Sequence, residues 1–132
     1  MARWLSALHD DRGSSPVEFV LVGSLLTVLT LAVLQLGFAV YVRNVVHDAA
    51  VEGAHHAALA DTTTAQGAER TRLIIARAVG DGFAQEVVAA ETAELGHPAI
   101  AVTVRATLPL VGLLGVPAAL EVTAHAPRET LD

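Results

Sequence analysis

Apolar positions fall along this chain in three patterns, and each predicts a different element. From Phe19 to Val42 there is no ionised side chain, and fifteen of these 24 positions are Leu, Val or Phe. As a helix the run would be about 36 Å long at roughly 1.5 Å per residue, more than the ~30 Å of a bilayer's hydrocarbon core. At roughly −0.3 to −0.6 kcal/mol each, the fifteen residues outweigh Ser24, Thr27, Thr30 and Gln35 and favour insertion. A buried helix of a soluble protein is the bland alternative, but the 90 residues after Val42 cannot cover it. A cleaved secretory signal has a shorter apolar region, about 7–15 residues, with small residues at its end. In this chain Phe38, Val40, Tyr41, Val42 and Arg43 stand at that place.

After Val42 the pattern becomes periodic. Val42, Val46, Ala49, Gly53 and Ala57 recur at three- and four-residue spacing, which continues the helix to about Ala60 with a core-facing stripe of small residues. Asp61 to Gly67 reads as a loop. Ala68 to about Ala90 reads as a second helix with Ile75, Val79, Phe83 and Val87 in a row. Gly80-Asp81-Gly82 interrupts that row with a kink or a division into two short helices. Glu94 to Pro98 reads as a turn.

The third pattern is alternation. Ile100, Val102, Val104, Ala106 and Leu108 oppose Thr103, Arg105 and Thr107; Leu120, Val122, Ala124 and Ala126 oppose Glu121, Thr123 and His125. Two half-buried strands follow, paired as an antiparallel hairpin and packed on the helices, because two strands alone are marginal. Their connector, 109–117, is apolar for a loop. It either tucks under the sheet or touches lipid or a partner subunit. The fold class is α+β: a long N-terminal transmembrane helix running into a small head with a second helix and an antiparallel β-hairpin.

Composition narrows the function. The net charge is −6, with eight Arg, no Lys and no Cys. After Val42 six Arg face eleven Asp and Glu, an acidic balance that argues against nucleic acid as a partner. Without cysteine there is no disulfide, thiol nucleophile or thiolate metal site. Glu52-Gly-Ala-His55 has a spacing found in di-iron bundles, but a second such motif and two more facing Glu are missing, so solvated histidines are the better account. No nucleophile elbow or phosphate-binding glycine loop occurs. The chain reads as a non-enzyme with no cofactor.

The junction ahead of the apolar run carries the sharpest signal. Gly13-Ser14-Ser15-Pro16-Val17-Glu18 places a carboxylate at the lip of a membrane-length segment. Ser15, Pro16 and Glu18 fit a capping box, with Ser15 as N-cap and Glu18 three residues on. A carboxylate beside a membrane span is also costly and tends to be paired or functional. Both readings can hold, one in a free subunit and one in an assembly.

In these residues the chain resembles the TadE-like proteins, minor pilins or pseudopilins of the Flp (Tad) type IV pilus system. The likeness rests on the leader ending Asp10-Asp11-Arg12-Gly13, on Val17-Glu18-Phe19, on the segment Gly37 to Ala54 with its Ala49-Ala50-Val51-Glu52-Gly53-Ala54 helix, and on Val122 to Glu129 as a closing strand. Ser14 stands where many type IV pilins carry a methylated Phe, and Val51 replaces a common Arg. The resemblance implies a pilin-like fold with a leader over 1–13, an N-terminal helix over 14–60 spanning the membrane at 19–42, and a head over 61–132. It implies cleavage by a prepilin peptidase between Gly13 and Ser14. It further implies pairing of Glu18 with a neighbour's Ser14 amine, and partnership with other pilin and pilus-assembly subunits. The expected location is the cytoplasmic membrane, single-pass, N-terminus inside and head outside. The competing reading is an uncleaved, signal-anchored envelope module that binds a partner through its head.

Overall fold

The computed structural model describes residues 13–94, 96–108 and 118–130. The expected leader residues 1–12 and the apolar connector 109–117 lie outside the described residues. The chain divides into two compact units, with the boundary between Leu36 and Gly37.

Helix α1 (Ser14–Ala58) crosses that boundary in sequence. In the first unit its described side chains are exposed except for half-buried Gln35: Phe19 is 80% exposed and Leu25 68%. In the second unit the stripe read from the sequence becomes core, with Val42, Val46, Ala49, Gly53 and Ala57 all buried. Ala50, Ala54 and Ala58 are buried too, so small side chains occupy a broad strip of the helix. Beyond Ala58, the Thr62 hydroxyl donates to the carbonyls of His56 and of Leu59, the latter at 3.0 Å, and closes the helix end.

Helix α2 (Thr64–Ala78) starts four residues earlier than periodicity indicates. Thr63 and Gln66 form a reciprocal cap: the Thr63 N–H donates to Gln66 Oε1 at 2.9 Å, and the Gln66 N–H donates to Thr63 Oγ1 at 3.3 Å. Residues 64–67 are therefore helix, not loop. The helix also stops earlier than expected. Gly80, at φ 106°, takes a backbone conformation that favours glycine, and a 3-10 turn (Asp81–Phe83) follows.

The segment expected to be helical up to about Ala90 is instead a strand, β1 (Glu86–Glu94). The Val87-Val88 pair and the alternation of buried Val87 and half-buried Ala89 with exposed Val88 and Ala90 suit a pleated surface. Strands β2 (His97–Leu108) and β3 (Ala118–Pro127) follow. The sheet is antiparallel in the order β1-β2-β3, with Val87, Val104 and Val122 in one row and Glu86, Arg105 and Glu121 in the next. The hairpin read from the sequence is present, with one more strand at its side. The α+β, pilin-like arrangement holds.

The core is one layer of helix on one sheet face. Val42, Val46, Ala50 and Ala54 of α1 and Ile75 of α2 join Val87, Ile100, Val102, Val104, Leu120, Val122, Ala124 and Ala126 in a single buried cluster. The helices touch backbone to backbone. A Cβ on Gly53 would lie 1.8 Å from Thr71 Oγ1 and 2.8 Å from the Gly67 carbonyl; one on Gly67 would lie 2.4 Å from Ala57 Cβ. Thr71 is fully buried at this crossing, and its hydroxyl donates to the carbonyl of Gly67 at 3.0 Å, with that of Ala49 at 3.3 Å. After β3 the Glu129 N–H donates to the Ala58 carbonyl at 2.9 Å, tying the end of the sheet to the end of α1.

Gly53→Ala is expected to lower head stability by about 1–3 kcal/mol, the usual cost of overpacking, in urea unfolding of the detergent-held protein. Gly82→Ala, where an added Cβ meets nothing within 4 Å, serves as the control and should leave the midpoint unchanged. In the same assay Thr63→Ala should cost ~1 kcal/mol through loss of the cap.

Candidate functional site: the N-terminal junction and the apolar helix

Gly13 forms an exposed turn immediately before α1, and Ser14 is the first helical residue. Pro16 falls in the first turn, where a missing N–H loses no helical hydrogen bond. The structure thus shifts the helix start by two residues from the capping-box reading. Ser15 lies inside the helix, not at its N-cap, and no acidic residue stands in the first turn. Glu18 comes after that turn and is exposed, one helical turn beyond Ser14 on the same side of the helix. Gly13, Ser14 and Glu18 are brought together along one stretch of exposed backbone. A shallow apolar groove of about 280 Å³, lined by Pro16, Val17, Val20 and Leu21, adjoins them.

Behind the junction α1 is long and apolar enough to cross a membrane, and none of its most apolar window is buried by the rest of the chain. Three of its hydroxyls are satisfied within the helix. Ser24 donates to the Val20 carbonyl at 2.7 Å, Thr27 to Gly23 at 2.8 Å and Thr30 to Leu26 at 2.8 Å. Each bond closes on the preceding helical turn.

Glu52 accepts from Arg70 Nε at 3.0 Å and Nη2 at 2.9 Å, which links α1 to α2 on the surface. His55 is exposed and His56 half-buried, on successive helix positions. Among the described residues no three His, Asp or Glu converge on a point that could hold a metal ion.

A feature that sequence reading missed lies on the outer face of the sheet. Arg105 donates to Glu121 at 2.7 Å from Nε and to Glu86 at 3.1 Å from Nη1. The hydrogen bond to Glu121, and after it that to Glu86, raises the guanidinium pKa above its already high value. These side chains border an open depression of about 520 Å³ with Gln85, Thr107 and Leu120. The Arg105 guanidinium is held between two carboxylates, so the depression is bordered by a cross-strand ion-pair cluster. The signal for it was the outward position of Arg105 and Glu121 on facing strands; Glu86 was hidden by reading β1 as helix.

No curated protein and no solved structure shows a significant match to this chain. A family model does match: residues 13–55 fit that of the TadE-like proteins. The matched segment begins at the junction glycine, runs through the whole apolar stretch and ends within the part of α1 that packs in the head. The TadE-like family is a pilin-like structural family not known for enzymes, and it implies association with Tad pilus components. Over residues 13–55 of its 132 the chain is similar to the TadE-like protein family.

Proposed function

We propose that this protein is a pilin-like subunit of a Tad-type pilus or related secretion filament, processed at Gly13 and assembled through its N-terminal helix. One observation carries the reading. A helix fit to span a membrane begins directly after Gly13 and carries a carboxylate, Glu18, one turn from its start and just ahead of its uncharged apolar run. A prepilin peptidase cutting between Gly13 and Ser14 leaves an ammonium group on the first helical residue. That charge sits badly at the positive end of the helix dipole. In parallel, staggered helices Glu18 of one subunit neutralises the amine of the next. Desolvation offsets much of the attraction, so the pair sets register more than it adds stability.

On this reading residues 1–13 are the leader, 14–60 the N-terminal helix with its span at 19–42, and 61–132 the head. The N-terminus lies on the cytoplasmic side and the head outside. Other pilin and pilus-assembly subunits are the partners, and the Ala- and Gly-rich stripe of α1 serves the head's own core.

Intact mass of the membrane-extracted protein, made beside its cognate peptidase, should show the loss of Met1 to Gly13. A full-length chain under those conditions would favour the uncleaved, signal-anchored binding module. Glu18→Ala should be inserted and cut as usual yet be depleted from sheared filaments. Incorporation of that variant at the unaltered level would sink the pairing role.

A further inference from the structure

We infer that the 3-10 turn Asp81–Phe83 is a second membrane contact, with the Phe83 ring seated at the headgroup boundary beside Phe38. The inference rests on the membrane-spanning role of α1, and not on cleavage or filament entry. Phe38 and Phe83 are 45 positions apart in sequence, yet their rings meet edge to face at a centroid distance of 6.3 Å and an interplanar angle of 68°. Phe38 stands four residues before the end of the apolar run and is 46% exposed; Tyr41, one turn on, is 53% exposed. A run of 24 residues is longer than the ~20 that a hydrocarbon core requires, so its final turn emerges into the interfacial layer. Aromatic rings concentrate in that layer. Whatever touches Phe38 is brought to the same depth.

The local chain is built to make that contact. Gly80, at φ 106°, ends α2 and turns the backbone, and the turn then presents Phe83. Phe83 is only half-buried: it packs on the edge of the core and keeps part of its ring uncovered. Asp81 and Gly82 are exposed, so the carboxylate keeps its water while the ring faces apolar surroundings.

The charges agree. Of the arginines in the second unit, Arg70, Arg72, Arg105 and Arg128 are engaged by carboxylates. Among the described residues Arg43 and Arg77 form no ion pair. Arg43 follows the apolar run directly, and Arg77 lies in the last turn of α2, six residues before Phe83. Two unengaged guanidinium groups close in sequence to the aromatic pair suit the phosphates of a lipid surface, to which long cationic side chains reach from span ends.

The test uses the full chain reconstituted in phosphatidylcholine–phosphatidylglycerol vesicles whose acyl chains are brominated near the headgroup, to read position 83, or near the chain ends, to read position 29. Trp4, the one native tryptophan, is replaced by Phe. Single tryptophans are then placed by Phe83→Trp, by Leu29→Trp in the middle of the span, and by Leu59→Trp just past the far end of α1. The expected result is quenched, blue-shifted emission for Phe83→Trp and Leu29→Trp, and unquenched emission for Leu59→Trp. Quenching at position 29 with water-like emission at position 83 overturns the contact and leaves the span intact. No quenching at either position removes both.

Discussion

An apolar surface that nothing in the chain covers is the constraint from which the rest follows. Between Phe19 and Leu36 the Leu, Val and Phe side chains of α1 remain open, with Leu34 and Leu36 still above 60% exposed. At about 25 cal/mol per Å² of apolar area, a helix with so many uncovered Leu, Val and Phe side chains is untenable in water. It must be solvated by lipid tails, by other helices, or by each in turn. A bilayer meets the demand all round the helix, and so does a bundle of like helices. The position of Glu18 at one end of this surface, and not within it, fits both settings.

The head solves the opposite problem. It has little apolar volume to work with, since its buried helix face is mostly Ala and Gly. Its answer is proximity. Gly53, Gly67 and Ala57 let α1 and α2 approach until backbone meets backbone, and Thr71 fits between them with its hydroxyl bonded to a carbonyl. Larger Val, Ile and Leu side chains from the sheet fill the remaining space. A close crossing of this kind gains many small dispersion contacts at low side-chain entropy cost, which suits a domain too small for a thick core.

Much of this was legible in the residues because periodicity and burial coincide. The stripe from Val42 to Ala57 and both alternating runs, at 100–108 and 120–126, are buried where their spacing places them. The errors came from weaker signals. Ile75, Val79, Phe83 and Val87 share a four-residue spacing and all pack on the core, but Gly80 divides them among a helix, a turn and a strand. Four-residue spacing is even, so it also keeps residues on one face of a strand, and only the glycines and the Val-Val pair could have arbitrated. At the other end of α2, Thr63-x-x-Gln66 is a start signal that the neighbouring threonines concealed. At the N-terminus, Gly13, Ser14 and Glu18 stood out by residue type and spacing, while the helix start at Ser14 was a matter of two residues that spacing alone does not fix. The Glu86–Arg105–Glu121 cluster required knowledge of a strand that was not foreseen.

The inward-turned hydroxyls of Ser24, Thr27 and Thr30 have a further consequence. A transmembrane segment with unsatisfied donors is committed, because it must find an acceptor and pays to abandon it. These three hydroxyls owe nothing to their surroundings, as each is already answered one turn earlier. A turn of the helix about its own axis, or an exchange of one apolar neighbour for another, leaves all three bonds unbroken.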